Sequence, residues 1–194
     1  MPSAIVVDQG GDVYVGGYTA SVPADSHLSA SDGFAPFPTT RGAVYQPGER
    51  VDVFVTKINS SGSALVYSTL MGGSGFDTLK GLAIDAAGNA YFAGYGSPDF
   101  PVTPGAFDSG YSGGFAAKLS ADGAKLLYST RFGGVRLDSA GLVTINSAGN
   151  TFITLSSPAG SFVIPPKPPV GQPRIAQRSS PSRVRYAAPT PARP

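Results

Sequence analysis

The chain of 194 residues contains no cysteine, no tryptophan and a single histidine, His27. Without cysteine there are no disulfides, no thiolate nucleophile and no thiolate-held metal. One histidine leaves one possible base for a Ser-His-Asp relay and cannot build a histidine-rich metal site. Charge is also sparse, at 13% of residues. No apolar run approaches the roughly 18 residues that a membrane-spanning helix requires. The N-terminal stretch "MPSAIVVDQGGDVYV" lacks a basic segment followed by an apolar one, so no secretory signal is visible in it.

What is abundant is glycine, 26 residues, and proline, 18 residues. That balance belongs to chains of short strands joined by many turns, and predicts an all-β fold. The net charge of +2 is unevenly spread. Residues 165–194 hold Lys167, Arg174, Arg178, Arg183, Arg185 and Arg193 and no acid, so the body is mildly acidic and only the tail is basic.

The chain repeats itself. At an offset of 61, Lys57 aligns with Lys118, the triplet Tyr67-Ser68-Thr69 with Tyr128-Ser129-Thr130, Gly72-Gly73 with Gly133-Gly134, and Gly88-Asn89 with Gly149-Asn150. At an offset of 77, Asp8 aligns with Asp85. Most of the extra length of the first copy falls in one loop, "ASVPADSHLSASDGFAP", between Ala20 and Pro36. Self-similarity of this kind indicates an architecture of stacked equivalent units.

Each unit reads as two hairpins. In "LAIDAAGNAYFAGY" two apolar, β-rich runs flank an Asp-x-x-Gly-Asn turn, in which the carboxylate accepts bonds from following amides and the glycine takes a positive φ. The same hairpin opens the chain as "AIVVDQGGDVYVGGY" and returns as "LVTINSAGNTFITL". The second hairpin, "GGFAAKLSADGAKLLYSTRFGG", has its counterpart in "DVFVTKINSSGSALVYSTLMGG", and the Gly-Gly pair after each last strand reads as its end. Four strands per unit of about sixty residues is the pattern of a β-propeller blade.

These motifs, in this order, resemble the bacterial SBBP ("seven-bladed β-propeller") repeat over roughly residues 4–160. The carrying residues are the Asp-x-x-Gly-Asn turn, the "DFPVTPGAF" segment, the "GFAAKL" strand and the "LLYSTRFGG" strand. Gly11-Asp12 and Asn146 depart from the repeat pattern. The resemblance implies an exported or cell-surface bacterial protein with a scaffolding role, and it supplies no active site.

Domain organisation follows. Residues 1–162 form a repeat segment with units of roughly 4–80, 81–141 and a partial 142–162, about two and a half blades or ten strands. Residues 163–194, rich in proline and arginine, read as a disordered tail. An incomplete propeller exposes blade faces and strand edges, so self-association, or docking with further blades or other protein partners, is expected. The expectation is a fragment or truncated relative of a longer propeller protein, with self-assembly into a closed ring or a stable open stack as the alternatives.

Function at this level is a non-enzymatic structural or binding scaffold. The alternative is a ligand- or glycan-binding propeller, or part of a propeller hydrolase completed by other blades. No cofactor or metal is implied, nucleic acid is not an expected partner, and a glycan or surface ligand is the small-molecule class to consider. The weak binding candidates are Asp25, His27 and Asp32 in the long loop of the first copy. Asp8 and Asp85 read as turn caps rather than calcium ligands, because each turn offers one nearby carboxylate where calcium takes six to eight oxygens. Lys57 and Lys118 read as outward strand lysines whose stems cover apolar surface. Tyr67 and Tyr128 read as packing residues whose hydroxyls find partners near the surface. "GGSGFD", lacking a P-loop or dinucleotide context, reads as a turn.

Overall fold

A computed structural model of the chain describes residues 1–20, 37–108, 110–132, 140–146 and 150–155, with the strand backbone of 162–164 and 176–177. Where the sequence alternates around an Asp-led turn, the chain forms an antiparallel hairpin. β1 (Pro2–Val7) pairs with β2 (Val13–Thr19) around Asp8, with β3 (Tyr45–Gln46) and β4 (Asp52–Ile58) following in the chain. The Asp8 Oδ1 accepts the Gly10 and Asp12 amides at 2.9 Å each, and Gly11 takes φ 86°. Asp85 repeats this turn, accepting the Ala87 amide at 3.0 Å and the Asn89 amide at 2.9 Å, with Gly88 at φ 82°. In the third copy Asn146 Oδ1 accepts the Asn150 amide at 2.9 Å, so an amide oxygen serves where a carboxylate served before.

Three sheets result. In the first, β1, β2 and β4 lie side by side, and β5 (Leu65–Ser68) and β6 (Leu70–Met71) both pair with β4, while β3 adds to β6 in parallel. The second sheet is β7 (Thr78–Ile84), β8 (Ala90–Gly96), β9 (Gly113–Leu119) and β10 (Leu126–Phe132), antiparallel and in chain order. The third is β11 (Ala140–Ile145), β12 (Thr151–Leu155), β13 (Phe162–Ile164) and β14 (Ala176–Gln177), again antiparallel. The fold is all-β, and no helix is present among the described residues.

This corrects the expected strand content at two places. The third copy does not stop at one hairpin: β13 pairs with β12, and β14 falls inside the stretch read as an unstructured tail. A three-residue strand such as Phe162–Ile164 is too short to show alternation, so the sequence pattern could not reveal it. The short strand β3 was equally invisible, whereas β5 and β6 are two parts of the expected closing strand "LVYSTLM". Gly72 and Gly73 do follow the last strand of the first sheet, as expected, whereas Gly133 and Gly134 lie outside the described residues.

The sheets stack face to face, with their first strands side by side: β7 lies against β1 and β2 on one side and against β11 on the other. The second sheet is therefore buried on both faces, and "AYFAGYG" and "GGFAAKL" read as apolar runs for that reason. Towards the first sheet it presents Phe92, Phe115, Ala117 and Leu119, which pack with Tyr14, Val53, Val55 and Tyr67. Phe115 stands edge-on to Phe92 at 5.9 Å and stacks on Phe100 at 4.2 Å. Towards the third sheet it presents Ala93, Ala116 and Phe132 against Ala140 and Ile153. Each large side chain buried this way contributes about 1.5–3 kcal/mol, which makes the stacking of sheets the main source of stability.

Candidate functional site

The polar residues that recur between copies gather where each first hairpin turns. Strand pairing sets Tyr14 opposite Lys57 and Tyr91 opposite Lys118. Each lysine lies over its tyrosine ring, at 4.8 Å for Lys57 and 4.6 Å for Lys118. From there the ammonium reaches the turn: Lys57 Nζ is 3.0 Å from Asp12 and 3.5 Å from Asp8, and Lys118 Nζ is 3.3 Å from Asp85. The Tyr91 hydroxyl donates to Asp85 at 3.0 Å, and the Tyr14 hydroxyl lies 3.3 Å from both Asp8 Oδ2 and the Gly88 carbonyl of the next sheet.

The lysines are thus not outward-facing, which corrects the expectation for Lys57 and Lys118. Their side chains are only 13% and 18% exposed, because a carboxylate at the turn draws the charge back across the sheet. The stems do cover apolar surface, namely the tyrosine rings. Burial alone would lower the Lys57 pKa, but the Tyr14 hydroxyl and Asp12 outweigh it and raise it above the ordinary lysine value. Lys118 shifts the same way against the same burial, through Tyr91 and Asp85. For Asp85, burial is outweighed by Asn89, Tyr91 and Lys118, and its carboxyl titrates below the usual range. A lysine held protonated between carboxylates is poorly suited to act as a base or nucleophile.

Asp8 and Asp85 cap their turns as expected, and in addition they anchor the lysines, a role the sequence reading missed. Between the two turns runs a cleft of about 400 Å³, bordered by Asp8, Gly10, Lys57, Asp85, Gly88 and Ala121. Among the described residues no three His, Asp or Glu side chains converge as a metal ion would require.

The other end of the sheets holds a second polar cluster, at the "GGSGFD" connector. It is more than a turn. Asp77 is fully buried and accepts the Gly73 amide at 2.7 Å, the Ser97 amide at 2.6 Å and the Ser97 hydroxyl at 2.9 Å, which fastens the first sheet's exit to the second sheet. Asp52, also buried, accepts the Gly48 amide at 2.8 Å. Burial pushes the Asp52 carboxyl up to about 6, against the Gly48 bond and assisted by the charge of Asp77. Nearby Arg131, also buried, pairs with Asp108 at 2.6 Å and donates to the Ser97 carbonyl at 3.1 Å. Asp77 is thus held by backbone amides and by Ser97, whereas the Nε of Arg131 is buried without a hydrogen-bond partner.

The tyrosines divide. Tyr128 meets its expectation, with its hydroxyl 3.1 Å from Thr151 Oγ1 of the third sheet. Tyr67 does not: it packs edge-on to Tyr14 at 6.3 Å, the turn at Gly123 lies against the base of its ring, and its hydroxyl is buried without a hydrogen-bond partner. Asp25, His27 and Asp32 lie outside the described residues, as do the basic residues of the tail. Among the described residues no helix is long and apolar enough to cross a membrane. No family model matches the chain, and no curated protein matches it.

Proposed function

We propose that the chain is a non-enzymatic scaffold of β-propeller-type blades, of the SBBP repeat kind, belonging to an exported bacterial surface protein. One observation carries this reading: the charged residues that recur between copies are consumed in holding each turn to its own sheet. Asp8, Tyr14 and Lys57 in the first sheet, and Asp85, Tyr91 and Lys118 in the second, satisfy one another at equivalent register. What the sequence repeats is a packing unit. Three stacked sheets with neighbouring first strands support a blade arrangement around an axis.

The cleft between the Asp8 and Asp85 turns favours a second reading, a glycan- or ligand-binding propeller, or part of a hydrolase completed by other blades. Both are tested by assaying the purified chain against a glycan array and a panel of glycosidase, esterase, phosphatase and peptidase reporter substrates. The scaffold reading expects no turnover. Turnover lost in a folded Lys57→Met variant would overturn it, and glycan retention lost in the same variant would favour the second.

A further inference from the structure

The contact between the first and second sheets shows how an outer turn is seated. In each of these sheets a threonine clamps the outer strand. Thr40 gives its amide to the Ser68 carbonyl at 3.1 Å and its Oγ1 accepts the Ser68 amide at 2.8 Å, and Thr103 does the same with Ser129 at 3.1 and 3.0 Å. Gly42 and Gly105 follow at φ 85° and 78°, so Val44 and Phe107 occupy equivalent positions. Val44 packs against the core between the two sheets, and its amide donates to the Gly123 carbonyl, in the outer turn of the second sheet, at 2.8 Å. That turn lies against Tyr67, which is 1% exposed.

Phe107 stands in the same place on the side of the second sheet that meets the third. Its carbonyl accepts the Thr130 hydroxyl at 2.6 Å, and Thr130 pairs with Ala116, which packs towards the third sheet. Yet the Phe107 ring is 39% exposed, and its amide has no acceptor among the described residues. An aromatic ring beside an available amide suits a proline-rich stretch, whose rings pack on aromatic surfaces and whose extended backbone leaves its carbonyls unbonded. The chain holds such a stretch where this geometry calls for one. Ile164 is in register with Thr151, beside the Asn146 turn, and β13 pairs with β14, so residues 165–175 join these two strands at that end of the third sheet. The outer turn of the second sheet has the same placement, with Ala121 against Gly88 of the first turn. Five of the eleven residues 165–175 are proline, and none is acidic.

We infer that residues 165–175 of this chain dock on Phe107 as the outer turn of the third sheet, with a carbonyl of the proline-rich stretch accepting the Phe107 amide as Gly123 accepts that of Val44. The occupant is set by its attachments: β14 is the outermost strand of the third sheet as β10 is of the second, so the stretch is tied at the rim where Phe107 lies. What reads as the start of a tail is then part of the third repeat unit. This docking is independent of whether the chain binds a ligand or turns over a substrate.

The full chain serves for the test, with amide exchange followed by NMR at Phe107 and, as an internal control, at Val44. Replacing residues 165–175 by an equally long Gly/Ser stretch is expected to speed exchange at Phe107 at least about tenfold while leaving Val44 unchanged. Equal rates at Phe107 in the two chains overturn the inference. So does a wild-type rate that slows as the protein is concentrated, which would put the segment of a second copy on the ring. A second measurement covers the case in which the replaced chain loses its third sheet. The native sequence has no cysteine, so Phe107→Cys combined with Pro169→Cys, Val170→Cys or Gln172→Cys reports the contact directly. At least one pair is expected to form an intramolecular disulfide under mild oxidation, and the same three cysteines to fail against Ser61→Cys on the outer turn of the first sheet. No disulfide in any pair overturns the inference, and so do equal yields with Ser61→Cys.

Discussion

The second and third sheets solve the same problem with different chemistry. Both must hold a β-turn against the sheet behind it. The second does so with Asp85, Tyr91 and Lys118, a carboxylate, a hydroxyl and an ammonium within hydrogen-bonding or ion-pair reach. In the third, the same register positions are Asn146, Phe152 and Val163. All three polar partners have changed together, the carboxylate to an amide, the phenol to a phenyl ring and the ammonium to an alkyl group. A lysine drawn over a sheet needs its carboxylate, and a part-buried carboxylate needs its donors, so the group is kept or lost as a unit. The sheets also differ at the closest approach of first strands, Gly81 against Leu142, and those two contrasts can be exchanged by mutation.

The largest effect is expected from giving the second sheet the third sheet's residue, Gly81→Leu. The new side chain meets the backbone of β11, which cannot retreat without undocking the third sheet. A loss of about 3 kcal/mol or more is expected, at the upper end of overpacking. Hydrogen exchange should show protection lost across Ala140–Ile145 while β8 and β9 stay protected. A variant that keeps full protection of β11 would mean that the Gly81 contact is not the limiting approach.

Next comes the ion cluster. Lys118→Val alone leaves the Asp85 carboxylate and the Tyr91 hydroxyl facing an alkyl group, and is expected to cost about 2 kcal/mol. The triple change Asp85→Asn, Tyr91→Phe, Lys118→Val installs the third sheet's own set and should return to within about 1 kcal/mol of the wild type. Chemical denaturation of the singles and the triple measures the coupling. If the single losses simply add, the three residues are independent and the comparison between sheets fails.

The residues that were legible in the sequence and those that were not follow the same divide between local and register-dependent structure. The Asp-x-x-Gly turns, the paired hairpins and the stacking of units all rest on short motifs or on repetition, and the hairpins form where Asp8, Asp85 and Asn146 place them. The Lys57 contacts join residues 8, 12, 14 and 57, which meet only once Tyr14 and Lys57 are set in register, so no local window contains them. The buried Asp77 was hidden in a stretch read as a simple turn, because what fastens it is Ser97, twenty residues away. One partial signal was available: Asn146 and Phe152 replace Asp and Tyr together in the third copy, whereas Val163 takes the lysine's place only through the register of β12 and β13.

The first and second sheets differ as well at the opposite end, where the first buries Asp52 and the second has Gly113 in register. The Asp52 carboxyl is raised by burial to about 6 from an ordinary value of 3.8, so the folded chain binds a proton there more tightly than the unfolded one. Its contribution is therefore full below pH about 4 and is lost as pH rises through about 6. Asp52→Asn keeps an oxygen for the Gly48 amide and removes the charge. It should stabilise the chain at pH 7 by on the order of 2 kcal/mol and flatten the stability profile between pH 4 and 7. Thermal melts across that range decide it: a profile unchanged by the substitution would mean that another group carries the slope.

The smallest effect is expected where the comparison is sharpest. Asn146→Asp restores the turn carboxylate to the third sheet without restoring lysine at Val163 or tyrosine at Phe152. If capping is the turn's main requirement, either oxygen accepts the Asn150 amide, and the melting temperature should move by no more than about 0.5 kcal/mol allows. A substantial stabilisation would show that charge at the turn helps without a paired ammonium. The Lys118 cluster would then be an accessory to the cap in the second sheet, rather than the unit that the joint replacement implies.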